Sequence, residues 1–375
     1  MLKVVYDHQI FWWQAYGGIS RYIYEVATRM AERDDCQVKI LGFAYVNEYL
    51  KQCKPGLVSG LPIPNVPSLK VKKMVGKLND NLAEIFLNRN KYDIVHETYY
   101  HPQRLSPKES NIVLTVHDMI HEKFSRFWEE VYGKSDATSE QKKAAVKRAD
   151  GIICVSENTK KDLIEILDVD PQKVWVVYHG PPLQFIAQGQ QEVTETDREP
   201  YIFYVGDRKS LYKNFEGLLR AYAISGTLKN NFKIVCFGGG SLSGEELSLI
   251  HGLGLSEGKV LQVSGDDTIL AKFYREASVF VYPSLYEGFG IPLLEAMSLN
   301  CPIACSNTSS IPEVVGKAAE FFDPKDPESI AIALEKVVGS VEKTQNLVKL
   351  GKQRVQEFSW EACVQQTRDV YLSLL

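Results

Sequence analysis

Glu287 and Glu295 have seven residues between them and bracket the stretch Gly288-Phe289-Gly290-Ile291-Pro292-Leu293-Leu294. The preceding Val279-Phe280-Val281-Tyr282-Pro283 has the apolar pattern of a buried strand. Pro292 suits the start of a helix, because its ring fixes φ and it lacks an N–H. The helix is therefore expected just after Gly290, with Glu295 in or near its first turn. The glycines let a ligand approach the backbone closely. Unpaired N–H groups and the positive end of the helix dipole make such a corner an anion site. Carboxylates belong beside an anion only if the ligand also carries hydroxyls. A carboxylate accepts hydrogen bonds from neighbouring hydroxyls, and charge roughly doubles their strength. A nucleoside diphosphate sugar combines diphosphate, ribose diol and hexose hydroxyls. Spacing alone leaves a blander reading open: Glu295 as a first-turn residue stabilising the dipole by ~0.3–1 kcal/mol, and Glu287 as a solvated loop acid.

A second constellation lies in Val205-Gly206-Asp207-Arg208-Lys209-Ser210-Leu211-Tyr212-Lys213-Asn214-Phe215. Arg208 and Lys213 fall on a strand-to-helix loop, the edge where open α/β sheets bind ligands. A guanidinium fork and an ammonium together suit a diphosphate. Nearer the N-terminus, Tyr16-Gly17-Gly18-Ile19-Ser20-Arg21 opens a helix after the first strand and loop, and His117 and Asp118 end another strand on the same side.

Other motifs fail on inspection. Gly133-Lys134-Ser135 ends like a phosphate-binding loop, but Trp128 occupies the required first glycine position. Gly288-Phe289-Gly290 begins like a dinucleotide fingerprint, but position 293 is Leu. His117-Asp118-Met119-Ile120-His121 imitates a zinc-protease helix, with Asp in place of Glu and a strand where the helix should be. Asp168-Val169-Asp170 reads as an exposed helix-to-strand loop rather than a metal site.

These residues need a scaffold. The chain has 375 residues, more than one core at roughly 150 per domain. With 45% hydrophobic and 24% charged residues it is an ordinary globular composition, which excludes disorder. A net charge of -4 excludes nucleic-acid binding by bulk charge. No apolar run reaches the ~18 residues of a spanning helix, and the first residues lack a signal peptide's pattern. The seven cysteines have no CxxC spacing; Cys154 and Cys236 sit in apolar runs, as buried reduced thiols of a cytoplasmic protein do.

Strand-like runs at Lys3–Tyr6, Val38–Phe43, Ile94–His96, Ile112–His117, Gly151–Val155 and Val174–Tyr178 alternate with helix-like segments such as Ser20–Ala31 and Ser139–Arg148. A second alternation runs through Tyr201–Gly206, Phe232–Phe237, Val260–Val263, Val279–Tyr282, Ile303–Ala304 and Ala319–Phe321, with helices at Glu216–Ile224 and Pro292–Ser298. The polar residues 183–200 between them read as a linker. The fold class expected is α/β, two Rossmann-like doubly wound domains, 1–182 and 183–357, facing across a cleft. The tail 358–375 is long enough to return onto the first domain.

GGISR near the N-terminus, TVHDMIHEKF, ADGIICVSENTKKDL, VYHG, VGDRKSLYKNF and YPSLYEGFGIPLLEAMSLNCPIACSNTSSIPEV resemble the group-one (family four) retaining glycosyltransferases of GT-B fold. Within that family the forms VGDRKSLYKNF and SNTSSIPEV look closest to bacterial mannosyltransferases of O-antigen and exopolysaccharide assembly. The resemblance implies that Glu287 binds donor-sugar hydroxyls, that the backbone of Gly288, Phe289 and Gly290 lies against sugar and phosphate, and that Glu295 takes the ribose. It assigns Arg208 and Lys213 to the diphosphate, His117 to the donor sugar near the reacting carbon, and Gly18 to the phosphates from the opposite domain. Asp118 is a candidate carboxylate, although the family favours same-face attack in which the departing phosphate takes the acceptor's proton. The only small molecules implied are the GDP- or UDP-linked donor and a saccharide or lipid-linked acceptor, with no metal. Tyr212 stands where the family often has Arg before Lys-Asn, and Ser309-Ser310 replaces its commoner Gly-Gly.

The acceptor side is read from two features. Phe11-Trp12-Trp13 offers aromatic surface for a sugar, a membrane or domain packing. Leu69–Lys91 carries Lys70, Lys72, Lys73 and Lys77, with Met74, Leu78, Leu82 and Ile85 at near-helical spacing. It is either a surface helix with a solvated lysine face or one lying on an anionic bilayer at the inner membrane face.

Overall fold

A computed structural model describes residues 1–64, 68–125, 127, 137–182, 185, 189 and 199–375. The discarded phosphate-loop match at 133–135 and most of the linker at 183–200 lie outside them. The chain forms two compact units, Met1–Gly180 with Trp360–Leu375, and Pro181–Ser359.

Short apolar runs flanked by loops form the strands. In the first unit these are β1 (Leu2–Tyr6), β2 (Cys36–Tyr45), β3 (Val58–Pro62), β4 (Ile94–Glu97), β5 (Asn111–Val116), β6 (Gly151–Cys154) and β7 (Val174–Val176). They make one parallel sheet in the order β3-β2-β1-β4-β5-β6-β7. Its central strands are buried on both faces, which is why they read as continuous apolar runs rather than alternations. The edge strand β3 was not expected from the sequence. It contains Ser59, Gly60 and Pro62 and is largely exposed, so neither composition nor periodicity marks it.

The second unit holds β8 (Tyr201–Val205), β9 (Lys233–Phe237), β10 (Val260–Val263), β11 (Val279–Tyr282), β12 (Ile303–Ser306) and β13 (Ala319–Phe322). They are parallel, in the order β10-β9-β8-β11-β12-β13. Both sheets are doubly wound. The chain steps outward from β1 to β3, then restarts at β4 on the other side of β1; β8 and β11 repeat this. At such a switch point the loops leave neighbouring strands in opposite directions and open a crevice at the strands' carboxyl ends.

The helix Gly18–Met30 shows how the faces are covered. Ser20, Tyr22, Ile23, Val26, Ala27 and Met30 recur at steps of one to three residues and are all buried. The C-terminal helix Trp360–Ser373 belongs to the first unit and places Trp360, Cys363, Val364, Val370 and Tyr371 in the same core. Tyr371 anchors it: its hydroxyl lies 3.0 Å from the Tyr6 hydroxyl and 2.6 Å from His96 Nδ1, and His96 Nε2 lies 2.9 Å from Thr115 Oγ1.

All seven cysteines are free thiols, six of them buried. Among the described residues no helix is long and apolar enough to cross a membrane. Of the aromatic triplet, Phe11 and Trp12 are core residues and only Trp13 is exposed.

Candidate active site

In the second unit, β8 and β11 pair directly, so the loops that follow them emerge side by side at the switch point. The loop after β8 ends in one 3₁₀ turn, Leu211–Lys213, closed by Asn214 at φ +53°. Asparagine tolerates that left-handed conformation, and its side-chain amide holds it by donating to the carbonyls of Pro283 (3.0 Å) and Pro324 (2.7 Å). This turn carries Lys213 to the loop after β11. Its Nζ lies 2.7 Å from Glu287 Oε1 and 3.4 Å from the Tyr282 hydroxyl. The rings of Tyr212 and Tyr282 flank the ammonium at 5.3 and 5.4 Å. Both charged side chains are largely buried, 15% and 9% exposed. Lysine and glutamate thus neutralise each other at the point where two loops meet.

The Glu287 backbone is fixed by Ser309 and Ser310. Its N–H donates to Ser309 Oγ at 3.0 Å, and Ser310 Oγ lies 3.0 Å from the carbonyls of both Glu287 and Phe289. Ser309 holds φ +52°, a left-handed value that glycine adopts without steric cost. Gly290 caps the next helix at φ +105°, and a Cβ there would lie 2.9 Å from Leu293 Cδ1. Phe289 directs its ring into the core against Phe358, edge-on at 5.9 Å, and Gly288 is buried.

Glu295 lies just past the first turn of this helix. The helix runs Ile291–Ser298, so Pro292 is its second residue and Glu295 its fifth, in the second turn. The dipole's influence fades within the first turn, so a dipole role does not account for this carboxylate. It is largely buried and accepts a 2.9 Å hydrogen bond from the Tyr274 hydroxyl, itself inside the core.

Arg208 was expected to act with Lys213 on the diphosphate; its side chain is fully buried and pairs within the fold. Nε donates to Glu246 Oε1 at 2.7 Å, Nη1 to the Gly238 carbonyl at 2.6 Å and Nη2 to the Gly240 carbonyl at 2.7 Å. Gly238, Gly239 and Gly240 are consecutive left-handed residues that turn their carbonyls inward, and a Cβ on Gly239 would meet Nη1 at 2.8 Å. Arg208 therefore shapes the loop after β9.

In the first unit, His117 follows β5 directly. Its ring is buried edge-on to Tyr22 at 5.2 Å, with His179 at 6.3 Å, and Nε2 has no hydrogen-bond partner among the described residues. Burial pushes its pKa down to about 3, so the imidazole is neutral near pH 7. Asp118 Oδ1 accepts from the Ile120 N–H at 3.1 Å and sits 3.8 Å from Lys142 Nζ. Lys142 is wholly buried and donates to the Asp118 carbonyl at 2.9 Å and to Glu122 at 2.8 Å. Asp118 is thus tied into the turn that follows β5. Gly18 is exposed at the start of its helix, where the Gln14 side chain accepts from the Ser20 N–H at 3.2 Å. His121 falls in the separate short helix Ile120–Lys123, and Asp168 and Asp170 are exposed capping residues.

Sequence reasoning missed Tyr274, Tyr282, Asn214 and Lys142. The tyrosines look like ordinary strand or helix residues, and only the tertiary structure sets their hydroxyls on the carboxylate and ammonium.

Two doubly wound parallel sheets, each with a switch point, define the architecture of GT-B glycosyltransferases. Residues 16–185 match Glycosyltransferase Family 4, and residues 187–354 match Glycosyl transferases group 1. O-antigen chain mannosyltransferase B of Escherichia coli is 28% identical over 73% of this chain and 72% of its own. Among solved structures, sucrose-phosphate synthase from Thermosynechococcus elongatus aligns with a TM-score of 0.79 at 21% identity, covering 100% of this chain and 99% of that one. Anabaena HepE in complex with UDP and glucose aligns at 0.69 and 17%, covering 100% of both. The chain belongs to the family four, group 1 glycosyltransferases, a retaining family of GT-B fold.

Proposed function

We propose that the protein is a hexosyltransferase that moves mannose from GDP-mannose to a saccharide or lipid-linked glycan, with retention, during polysaccharide assembly at the cytoplasmic face of the membrane. The observation that carries the reading is the Lys213–Glu287 pair where the loops after β8 and β11 meet. An ammonium and a carboxylate side by side match a ligand with phosphate next to sugar hydroxyls. The mannosyl preference is supported by the similarity to the Escherichia coli O-antigen enzyme.

As the glycosidic bond breaks, negative charge grows on the β-phosphate and positive charge on the ring. Lys213 neutralises the leaving diphosphate, and the Gly288–Gly290 backbone with the following helix start supports it, a preorganised electrostatic role. Glu287 accepts from donor-sugar hydroxyls, and Glu295, oriented by Tyr274, from the ribose diol. Arg208 acts by holding the Gly238–Gly240 turn. In this reading neutral His117 takes the donor hexose and the Gly18 backbone takes phosphate, while Asp118 holds the turn that follows His117 by accepting from the Ile120 N–H. Transfer is metal-independent in this reading, because Lys213 and the helix start after Gly290 take the leaving charge.

A second reading, a UDP-sugar-dependent glucosyl, galactosyl or N-acetylglucosaminyl transferase, is favoured by the likeness to HepE, solved with UDP and glucose. A thermal-shift panel of GDP-, UDP- and ADP-sugars separates the two. A donor at 100 times its Kd stabilises by about 2.7 kcal/mol; GDP-mannose is expected to give the largest shift. A larger shift with a UDP-sugar favours the second reading, and no shift with any donor refutes both.

A further inference from the structure

The helix Leu69–Arg89 presents an unusual outer face. Val71, Met74, Leu78, Leu82 and Ile85 recur every three or four residues and are all exposed, Met74 by 67% and Leu78 by 52%. At 3.6 residues per turn they form one stripe along the helix. Lys70, Lys73 and Lys77 line one flank of it, exposed and without an ion pair among the described residues. From 68 to 79 the sequence has four lysines and no acid, in a chain whose net charge is -4.

The helix cannot rotate to bury this stripe, because its other face is fixed by polar contacts that demand one orientation. Asn79 is fully buried, and its amide pairs with both backbone groups of Ala44, accepting from the N–H at 3.0 Å and donating to the carbonyl at 2.9 Å. Asp80 lies 3.0 Å from His8 Nε2 and 3.4 Å from His101 Nε2. Ala83 and Leu87 pack with Val5, Leu41 and Val95. Turning the helix would leave the buried Asn79 amide and the half-buried Ala44 peptide groups without partners.

We propose that this face docks on an anionic lipid bilayer. The stripe is convex, a ridge rather than a groove, and suits insertion at the boundary between headgroups and acyl chains. The lysine stems extend along it and carry their ammonium groups to the phosphate level. The unopposed charge selects an anionic surface. Docking requires neither donor nor acceptor, so its outcome is separate from that of the transfer reaction.

Flotation of the full chain with vesicles of phosphatidylglycerol and phosphatidylethanolamine, against vesicles of phosphatidylcholine alone, tests this. Each lysine near an anionic surface contributes roughly fivefold to binding, so Lys70→Gln/Lys73→Gln/Lys77→Gln is expected to weaken partitioning on the order of a hundredfold. Met74→Ser/Leu78→Ser/Ile85→Ser is expected to abolish it. Both variants change exposed side chains, and unchanged thermal unfolding confirms that each is folded. Wild-type protein that fails to float with anionic vesicles overturns the proposal, as does flotation that survives both variants. If the protein ignores vesicles but forms a dimer that the serine variant dissociates, the stripe is a contact with a second copy and the membrane assignment is wrong.

Discussion

Breaking the Lys213–Glu287 pair tests the centre of the proposed site. The groups are 2.7 Å apart and largely buried, so removing one leaves the other charged and uncompensated. For a fully buried pair this costs about 3–5 kcal/mol; the residual exposure here reduces the expected loss to about 2–3 kcal/mol. Lys213→Met and Glu287→Gln should each lower stability by that amount in urea titrations. Each should also remove at least about 2–3 kcal/mol of transition-state stabilisation, a 30- to 150-fold fall in kcat/KM. The double variant discriminates between a structural and a catalytic pair. With both charges gone no buried charge is stranded, so stability should largely recover. Activity should stay low, because the donor still loses its ammonium and its hydroxyl acceptor. Recovery of kcat/KM in the double variant, or near-normal kcat/KM in either single one, would refute the assignment.

Arg208→Met should destabilise by about 3–5 kcal/mol, more than Lys213→Met, because it strands Glu246 and the glycine carbonyls; an unchanged Tm would show that the guanidinium does not hold that turn. His96 is buried with its pKa pushed down to about 3, against about 6.5 unfolded. Between these values the unfolded chain binds the extra proton, so this group's contribution to stability falls as pH drops, by about 1.4 kcal/mol per pH unit. The stability of His96→Asn should have a slope smaller by that amount between about pH 5 and 6, and equal slopes in wild type and variant would contradict it. Turnover is expected to survive EDTA; complete loss restored by a divalent metal would defeat the metal-free reading.

Part of the site could be read along the chain because it is local. Gly290 and Pro292 mark a strand-to-helix corner through backbone geometry alone, and the helix does begin at Ile291. Central strands were legible because burial on both faces makes them uniformly apolar, whereas β3, polar and exposed at the edge, carried no such mark. Glu295 was expected in or near the first turn and lies just past it, because Pro292 is the second rather than the first helical residue. The basic, apolar segment 69–91 announced a helix, but which face it buries was settled by Asn79 and Asp80.

The amino-acid order by itself determined the alternation of strands and helices, the glycine-proline corner and the supply of acids and cations near strand ends. Only the tertiary structure decided which of them meet. Lys213 reaches Glu287 across 74 positions because β8 and β11 are neighbours in the sheet. Arg208, five residues before Lys213, turns away because the carbonyls after β9 and Glu246 are nearer. Strand adjacency at a switch point is a long-range property of the sheet, and no local propensity encodes which side chains it brings within hydrogen-bond distance.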